Sequence, residues 1–367
     1  MRIVVAMDSF KGSLTSQEAN RAVRRALAEH DVVEIPVSDG GEGFLDAWLA
    51  THPEANAVEQ EVTALDGRVR QARYGWHEAT REAVVEVAEA SGLTLVNRFD
   101  PWRYSSYGTG MQLRQAIERG AGRITIGLGG SATVDGGKGV LEALGVRFLD
   151  ESGRVLEPFP HGLERVKRVD WSGLMPEAKH VTWRIASDVT NPLLGHAGAA
   201  AVFGPQKGLA PSDVARYDDL MSAYAACFDR ADTTVAGAGA AGGIGFAMYQ
   251  LGATYVNGIE EVMRWSSFDA QLHGADWLIT GEGKFDEQTL HGKAPYGLAR
   301  LARTHHVPTI VFTGQTDMTA LPEVGIEAIF PIISRVMTLE TAMMEAAPLL
   351  TNAVSRVFRL IEKTSKP

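Results

Sequence analysis

Four glycine-rich loops place small residues, hydroxyls and carboxylates together in patterns that suit a phosphate-bearing ligand. The loops are residues 38–43 (SDGGEG), 127–137 (GLGGSATVDGG), 237–243 (GAGAAGG) and 280–286 (TGEGKFD). A glycine-rich turn that opens a helix presents backbone N–H groups at the positive end of the helix dipole, which suits an anion. Carboxylates in three of the loops would repel a bare phosphate, but a divalent cation can bridge the two groups. The loops therefore predict a kinase that uses a magnesium nucleotide.

A polar loop with a lysine follows the first apolar run of the chain, Ile3–Ala6, which has the composition of a β-strand. Ligands gather at the carboxyl ends of strands in open α/β sheets. Lys11 can neutralise a phosphate or carboxylate, Ser9 can donate a hydrogen bond, and Asp8 can hold a metal or orient a hydroxyl. The alternative is a helix-initiating loop whose Asp and Ser side chains satisfy backbone N–H groups.

The loop at residues 38–43 places two carboxylates among three glycines. Asp39 and Glu42 are close in sequence, so each raises the pKa of the other unless a cation or lysine lies nearby. Glycine at three positions permits close backbone approach to a ligand, which favours a functional role. An Asx-type turn with a solvated glutamate is the alternative.

The loop at residues 127–137 follows an apolar run and precedes a helical pattern, but it matches neither a Walker A sequence nor a dinucleotide fingerprint. Ser131, Thr133 and the backbone amides of Gly129 and Gly130 can still bind phosphates, and Lys138 is near in sequence. The alternative is a tight-packing glycine turn. In the uncharged 237–243 loop, close helix packing is at least as well supported as phosphate binding by Gly239, Gly242 and Gly243.

Two further loops supply a hard-oxygen pair and a cation. Asp188 and Asn191 follow an apolar run and carry the oxygen ligands that Mg²⁺ accepts, although Asn-Pro also marks an ordinary turn. Lys207 lies in the loop at residues 204–208, where surface exposure is the simpler expectation.

The loop at residues 280–286 combines the most chemistry in the shortest stretch. Glu282 and Asp286 are four residues apart with Lys284 between them, and Gln288, Thr289, His291 and Lys293 follow. If a helical turn begins here, the two carboxylates lie on the same side. Asp286 or His291 can act as a general base only within hydrogen-bond reach of a substrate hydroxyl. A solvated, charged surface turn is the alternative.

Composition narrows the class of protein. The chain has 367 residues, 45% of them hydrophobic, and a formal net charge of -10 without a basic run, which argues against a nucleic-acid partner. Cys227 is the only cysteine, so an intrachain disulfide is excluded and a reducing compartment is indicated. We expect no signal peptide and no membrane span, since the long uncharged stretch Thr233–Ile259 is rich in Gly and Ala. A cytoplasmic protein, monomeric or homodimeric, is the expectation.

The order of the elements predicts an α/β protein of two domains. Strand, helix, strand and loop alternate at both chain ends, which is typical of a parallel α/β sheet. Between them, consecutive strands are predicted near residues 58–65, 69–76 and 82–88, with a hairpin at Asp66-Gly67. We therefore predict a flavodoxin-like or Rossmann-like domain from residues 1–60 and 270–367, a mixed α/β domain inserted at 61–269, and an active site in the cleft.

These strings, in this order, resemble the glycerate kinase type I family over nearly the whole chain. The matching segments are 8–14 (DSFKGSL), 39–43 (DGGEG), 90–93 (ASGL), 108–110 (GTG), 129–133 (GGSAT), 188–193 (DVTNPL), 203–208 (FGPQKG), 237–243 and 280–283. Two departures are Met7, where the family usually has Pro, and Met111, where Glu is common.

The resemblance implies ATP-dependent phosphorylation of D-glycerate, usually at the 2-hydroxyl to give 2-phosphoglycerate and ADP, with Mg²⁺ as cofactor. The candidate catalytic residues are Asp39, Asp188, Glu282 and Asp286, with Asp188 and Glu282 as metal ligands. The candidate substrate contacts are Asp8, Ser9, Lys11, Glu42, Asn191 and Lys207. The candidate phosphate contacts are Gly129, Gly130, Ser131, Thr133, Gly239, Gly242 and Gly243. Asp39 and Asp286 compete for the role of orienting the hydroxyl.

Two other functions use the same features. A metal-dependent phosphohydrolase would use the same acidic loops but would consume ATP without glycerate. A nucleotide-binding regulator would bind ligand without turnover, although it would not need so many carboxylates.

Overall fold

The computed structural model describes residues 1–230, 232–287, 289, 294–318 and 321–364. The chain divides into two compact units, unit 1 (Met1–Asp39 and Ile259–Pro367) and unit 2 (Gly40–Gly258). This division differs from the predicted boundaries at residues 60 and 270. Residues 40–60 belong to unit 2 because the strand that begins at Asn56 pairs with the strand that follows it. The helix that starts at Gly258 belongs with unit 1, because Ile259 packs into a core cluster of that unit.

The strands, numbered in chain order, alternate with helices at both ends of the chain and cluster in its middle. They are β1 (Arg2–Met7), β2 (Asp31–Glu34), β3 (Asn56–Thr63), β4 (Val69–His77), β5 (Glu82–Glu86), β6 (Arg123–Gly127), β7 (Arg147–Leu149), β8 (Arg168–Asp170), β9 (Thr182–Ser187), β10 (Thr254–Asn257), β11 (Trp277–Phe285), β12 (Thr309–Thr316) and β13 (Ile326–Pro331).

The helices follow the same numbering. They are α1 (Ser16–Ala26), α2 (Phe44–Thr51), α3 (Ala88–Ser91), α4 (Tyr107–Glu118), α5 (Lys138–Ala143), α6 (Val214–Ala225), α7 (Ile244–Gln250), α8 (Gly258–Trp265), α9 (Phe268–Leu272), α10 (Ala294–Thr304), α11 (Leu339–Met344) and α12 (Ala346–Thr364). In the described part of the chain, none of them is both long enough and apolar enough to cross a membrane.

Unit 1 contains a five-stranded parallel sheet in the order β13-β12-β11-β1-β2. Within the unit this is the order 2-1-3-4-5 of flavodoxin-like sheets, with the topological switch point between β1 and β11. Alternate residues of β1 face opposite sides. Ile3 and Val5 pack with α1 and α12, whereas Val4 and Ala6 pack with α8, α9 and α10.

Unit 2 contains a six-stranded mixed sheet in the order β10-β9-β6-β5-β4-β3. β5, β6, β9 and β10 are parallel, and the β3–β4 hairpin adds antiparallel strands at one edge. Helices α4, α5 and α7 cover one face through a core that includes Leu113, Val140 and Ile244. A third, two-stranded sheet pairs β7 with β8 in antiparallel order. The structure therefore confirms a mixed α/β protein with a parallel and a mixed sheet.

Two local features of the fold were predictable from the sequence, and a third was not. Thr15 and Glu18, three residues apart, predict a capping box at the start of α1, and it is present. β3 and β4 form the predicted antiparallel hairpin. Near residues 339–361 the sequence pattern predicts one long helix, but this prediction is wrong, because α11 ends at its C-cap Glu345 and α12 begins at Ala346.

β11 and β12 approach each other closely at Gly281, in the middle of β11. A Cβ on Gly281 would lie 1.8 Å from the Phe312 carbonyl oxygen, whereas one on Gly283 would meet nothing closer than 3.5 Å. We predict that Gly281→Ala lowers the free energy of unfolding by about 3 kcal/mol or more, because β11 must move away from β12. Gly283→Ala, the control, should change it by less than about 1 kcal/mol. Urea unfolding measures both, and equal stabilities would contradict the packing described.

Candidate functional site

Three carboxylates of unit 1 interact at the switch point of its sheet. Asp8 follows β1, where its backbone N–H donates to the Gly281 carbonyl at 2.9 Å. Burial raises the pKa of Asp8 to about 8, and the Asp39 carboxylate and, to a lesser extent, that of Glu282 also raise it. The Ser9 N–H and the Lys11 ammonium oppose the shift. These residues thus form an acidic cluster that Lys11 compensates only in part.

Glu282 is held in place by Thr289. The Glu282 side chain is buried in β11, and the Thr289 hydroxyl donates to its Oε1 at 2.6 Å. The same hydroxyl oxygen accepts the backbone N–H of Asp286 at 3.2 Å. Because the hydroxyl is used in both directions, Thr289 fixes the orientation of Glu282, a role that the sequence did not single out.

The backbone from Glu282 to Asp286 does not meet the condition for placing both carboxylates on the same side, because β11 continues through Phe285 and no helical turn begins at Glu282. Four residues span roughly 13 Å in a strand, compared with about 6 Å in a helical turn, so the spacing does not bring the carboxylates together. Asp286 instead forms an ion pair with Lys284 at 3.2 Å, and Lys284 also contacts Asp317 at 2.9 Å. His291, the other candidate base, and its neighbours Gln288 and Lys293 lie outside the described residues.

The acidic cluster suits a divalent cation by its charge and its oxygen atoms rather than as a preformed cage. Carboxylate oxygens are the ligands that Mg²⁺ accepts, usually one or two of them together with water and phosphate. Among the residues that the structure describes, no group of three or more His, Cys, Asp or Glu residues is arranged to hold a metal. The predicted ligands also belong to different units, Glu282 to unit 1 and the half-buried Asp188 to unit 2.

In unit 2, the glycine turn after β6 contains two buried hydroxyl residues and lies against a buried lysine. Lys207 is only 2% exposed, so the expectation of a surface lysine is wrong. Its Nζ donates to Ser131 Oγ at 2.8 Å and to the Thr133 carbonyl at 3.0 Å. Burial lowers the pKa of Lys207 to about 7, and the Asp135 carboxylate opposes the shift. Sequence proximity could not reveal this contact, since 74 residues or more separate the partners.

The candidate phosphate-binding glycines are packed against the backbone of unit 2. A Cβ on Gly129 would lie 2.3 Å from Gly41 Cα, and one on Gly242 would lie 1.9 Å from the Thr133 carbonyl oxygen. Cβ atoms on Gly239 and Gly243 would likewise collide with the backbone, whereas Gly130 is exposed with a φ of +72°. The 237–243 glycines therefore have the geometry of the packing alternative, and nucleotide contact remains a prediction for the turn at Gly129–Thr133.

Other candidates have local roles in the structure. Glu42 is exposed, and Ser9 and Lys11 lie at the partly exposed loop after β1. Asn191 uses its amide to donate to the Ala197 carbonyl at 2.8 Å. Lys138 does not serve the glycine turn, because its fully buried ammonium forms an ion pair with Glu142.

Glu86 has a structural role that the sequence pattern did not predict. At 5% exposure, its carboxylate accepts the Gly43 N–H at 3.3 Å and the Leu45 N–H at 3.1 Å, so it caps α2 from the end of β5. Gly43, the residue at the N-cap, has no side chain with which to do so. A glutamate within the apolar run of residues 83–87 was the available signal.

The two departures from the family pattern lie in packed positions. Met7 is fully buried at the end of β1. Met111 packs against Val62, Ala72 and Ala90 and accepts the Thr63 N–H through its sulfur at 3.3 Å. Both side chains contribute to the core in this chain.

Known proteins resemble the chain along its whole length. A family model described as the glycerate kinase family matches residues 3–362. Glycerate 2-kinase of Escherichia coli (strain K12) is 39% identical over 359 residues, which cover 94% of each chain. Glycerate kinase of Bacillus subtilis (strain 168) is 40% identical over 362 residues, covering 95% of this chain and 94% of that protein. A solved structure described as glycerate kinase 2 from Salmonella typhimurium LT2 superimposes with a TM-score of 0.83 and 38% identity, covering 99% of both chains.

The Glu86 cap generates a pH-dependent prediction. Burial raises the pKa of Glu86 from 4.5 to about 8, and Glu89 and Asp46 also raise it. Because the folded pKa exceeds the unfolded value, folding favours the protonated form, and its stability contribution falls as pH rises from about 5 to 8. Relative to Glu86→Gln, which is neutral throughout, the natural protein should lose up to about 1.4 kcal/mol of stability per pH unit in this window. Urea unfolding between pH 5 and 9 measures the difference, and a constant value would refute the burial argument.

Proposed function

Since the chain belongs to the glycerate kinase family, we propose that it transfers the γ-phosphoryl group of ATP to the 2-hydroxyl of D-glycerate, giving 2-phosphoglycerate and ADP. The observation that carries the proposal is the acidic cluster at the switch point of unit 1. A parallel α/β sheet binds ligands at this position, and a Mg-nucleotide requires carboxylates there. The 2-position follows the name of the Escherichia coli relative.

The loop after β1 is our candidate for the glycerate carboxylate. Lys11 is exposed and supplies a positive charge, and the Ser9 hydroxyl is a hydrogen-bond donor beside it. A charge-assisted hydrogen bond from lysine to a carboxylate is stronger than one between neutral groups. These residues would orient the substrate with its hydroxyl toward the acidic cluster, where Asp39 is the candidate to orient it. Asp286, the other predicted candidate, is not one of the carboxylates of this cluster and is paired with Lys284.

The turn at Gly129–Thr133 is our candidate for the nucleotide phosphates. It offers an exposed backbone at Gly130 and the hydroxyls of Ser131 and Thr133, and the buried Thr133 hydroxyl has no hydrogen-bond partner in the described structure. Such donors stabilise the charge on the transferring phosphoryl group. Mg²⁺, for which Glu282 is the candidate ligand in unit 1, would neutralise phosphate charge when bound.

The activity is tested with purified protein and Mg-ATP. We predict that ADP release requires D-glycerate, that a chelator abolishes it, and that ³¹P NMR identifies 2-phosphoglycerate. Glu282→Gln, a nearly isosteric control against contaminating ATPases, should lower kcat by ~10²-fold. Equal ADP release with and without glycerate would identify a phosphohydrolase instead. Formation of 3-phosphoglycerate would refute only the choice of hydroxyl.

Thr289 provides a finer test of the Glu282 assignment. Thr289→Val removes the hydroxyl that orients the carboxylate and should lower kcat by ~10-fold, while Thr289→Ser retains the hydroxyl and should stay within about 2-fold. Thr313→Val is the matched control, since the buried Thr313 hydroxyl bonds to the Phe285 N–H and the Gln315 carbonyl. If Thr313→Val lowered kcat as much as Thr289→Val, the effect would be general destabilisation.

A further inference from the structure

We propose that Lys207 is a positioning residue, which fixes the Ser131 hydroxyl as a hydrogen-bond donor toward a phosphate oxygen of the nucleotide. The inference rests on the nucleotide site proposed above. It assigns Lys207 no contact with substrate, in place of the substrate contact predicted from the sequence.

The first step is the chemistry of the Lys207–Ser131 contact. A lysine ammonium has three N–H donors and no acceptor, so in the 2.8 Å contact Ser131 Oγ must be the acceptor. The hydrogen of the Ser131 hydroxyl must then point away from Lys207. No acceptor for this hydrogen is found among the described residues, although Ser131 is only 4% exposed. A donor that is held in one direction and lacks a protein acceptor suits an anionic ligand.

The neighbouring Thr133 supports the same conclusion independently. Lys207 donates a second hydrogen bond to the Thr133 carbonyl at 3.0 Å, which fixes the backbone of the turn. The Thr133 side chain is fully buried, and its Oγ1 has no hydrogen-bond partner. A buried hydroxyl without a partner costs free energy unless a ligand supplies one. The turn therefore carries two hydroxyls whose hydrogen bonds the described protein leaves incomplete.

Hydrogen bonds that do not involve Lys207 also hold the backbone of the turn. Removal of the Lys207 ammonium should therefore change the orientation of the hydroxyls rather than the fold. The Ala132 N–H donates to the Ser91 carbonyl at 2.8 Å, and the Leu93 N–H donates to the Gly130 carbonyl at 2.9 Å. Ser91 is itself hydrogen-bonded to the Thr109 hydroxyl at 2.8 Å. These contacts also give a structural reason for the 90–93 and 108–110 strings in this chain.

The protonation state of Lys207 gives a second test of the proposal, the pH dependence of nucleotide affinity. Asp135 is the charged group that favours the ammonium, and burial opposes it more strongly, which places the pKa of Lys207 at about 7. A neutral amine can accept a hydrogen bond, so deprotonation allows the Ser131 hydroxyl to turn inward. Nucleotide affinity should therefore fall as pH rises through neutrality.

The test is a double-mutant cycle read by isothermal titration calorimetry with Mg-AMP-PNP. At pH 6 we expect Ser131→Ala and Lys207→Met each to weaken binding by ~10-fold, and the double variant to be no weaker than either single variant. Between pH 6 and 8.5, the affinity of the natural protein should fall relative to that of Lys207→Met. Lys138→Met is the matched control, because it removes another buried ammonium of unit 2 that pairs with Glu142 instead.

The possible results distinguish failure of the positioning role of Lys207 from failure of the proposed kinase activity. If Ser131→Ala weakens binding but the two substitutions add, Ser131 contacts nucleotide and the role of Lys207 is overturned. If Ser131→Ala binds normally, the nucleotide site at this turn and the inference both fail, while glycerate-dependent turnover can still support the kinase. Thermal unfolding is measured for every variant. A loss of affinity in Lys138→Met equal to that in Lys207→Met would show that destabilisation of unit 2 is the cause.

Discussion

Repulsion between carboxylates that the sheet holds together is the constraint on which the chemistry of unit 1 depends. β1 and β11 are adjacent and parallel, and Met7 is in register with Gly281, so the residues that follow meet at one edge. Asp8 and Glu282 therefore cannot separate without loss of strand pairing. Burial and these neighbours raise the pKa of Asp8 to about 8. Such a cluster is stabilised by a proton or by a cation.

Unit 2 has the complementary chemistry. Its glycine turn combines hydroxyls with a buried ammonium, and the acidic side chains beside it have other tasks. Asp135 accepts the Ser106 N–H at 2.7 Å and the Ser106 hydroxyl at 2.8 Å. Glu86 caps α2. The carboxylates of unit 2 that are most deeply buried thus shape the loops, and the groups left to meet an anion are donors.

The parts of the structure that depend on local sequence were predictable. The Thr15–Glu18 capping box involves residues three apart, and the β3–β4 hairpin follows from an Asp-Gly turn between two strand patterns. The glycine loops could also be located, because glycine tolerates close approach and positive φ. The order of these loops along the chain and their residue sequences indicated the family.

The parts that depend on tertiary contact were not predictable. In the sequence, Lys207 lies in a Gly-Pro loop, and such loops are typical of the protein surface. Only the folded structure brings its ammonium within hydrogen-bond distance of Ser131 Oγ. In the sequence, Glu86 is one residue of a predicted strand. Only the structure shows that its carboxylate caps α2, which begins 42 residues earlier. The spacing of Glu282 and Asp286 would place their carboxylates together in a helical turn, but pairing of β11 with β12 keeps the backbone extended there.

We propose that the nucleotide binds at the turn of unit 2 and that glycerate binds at the loop after β1. Hydrogen–deuterium exchange with each ligand alone tests this division most directly. Mg-AMP-PNP should slow exchange of the backbone amides at residues 128–133, and D-glycerate should slow exchange at residues 8–13 and leave the turn unchanged. Protection of residues 8–13 by the nucleotide alone, with no change at the turn, would contradict the account.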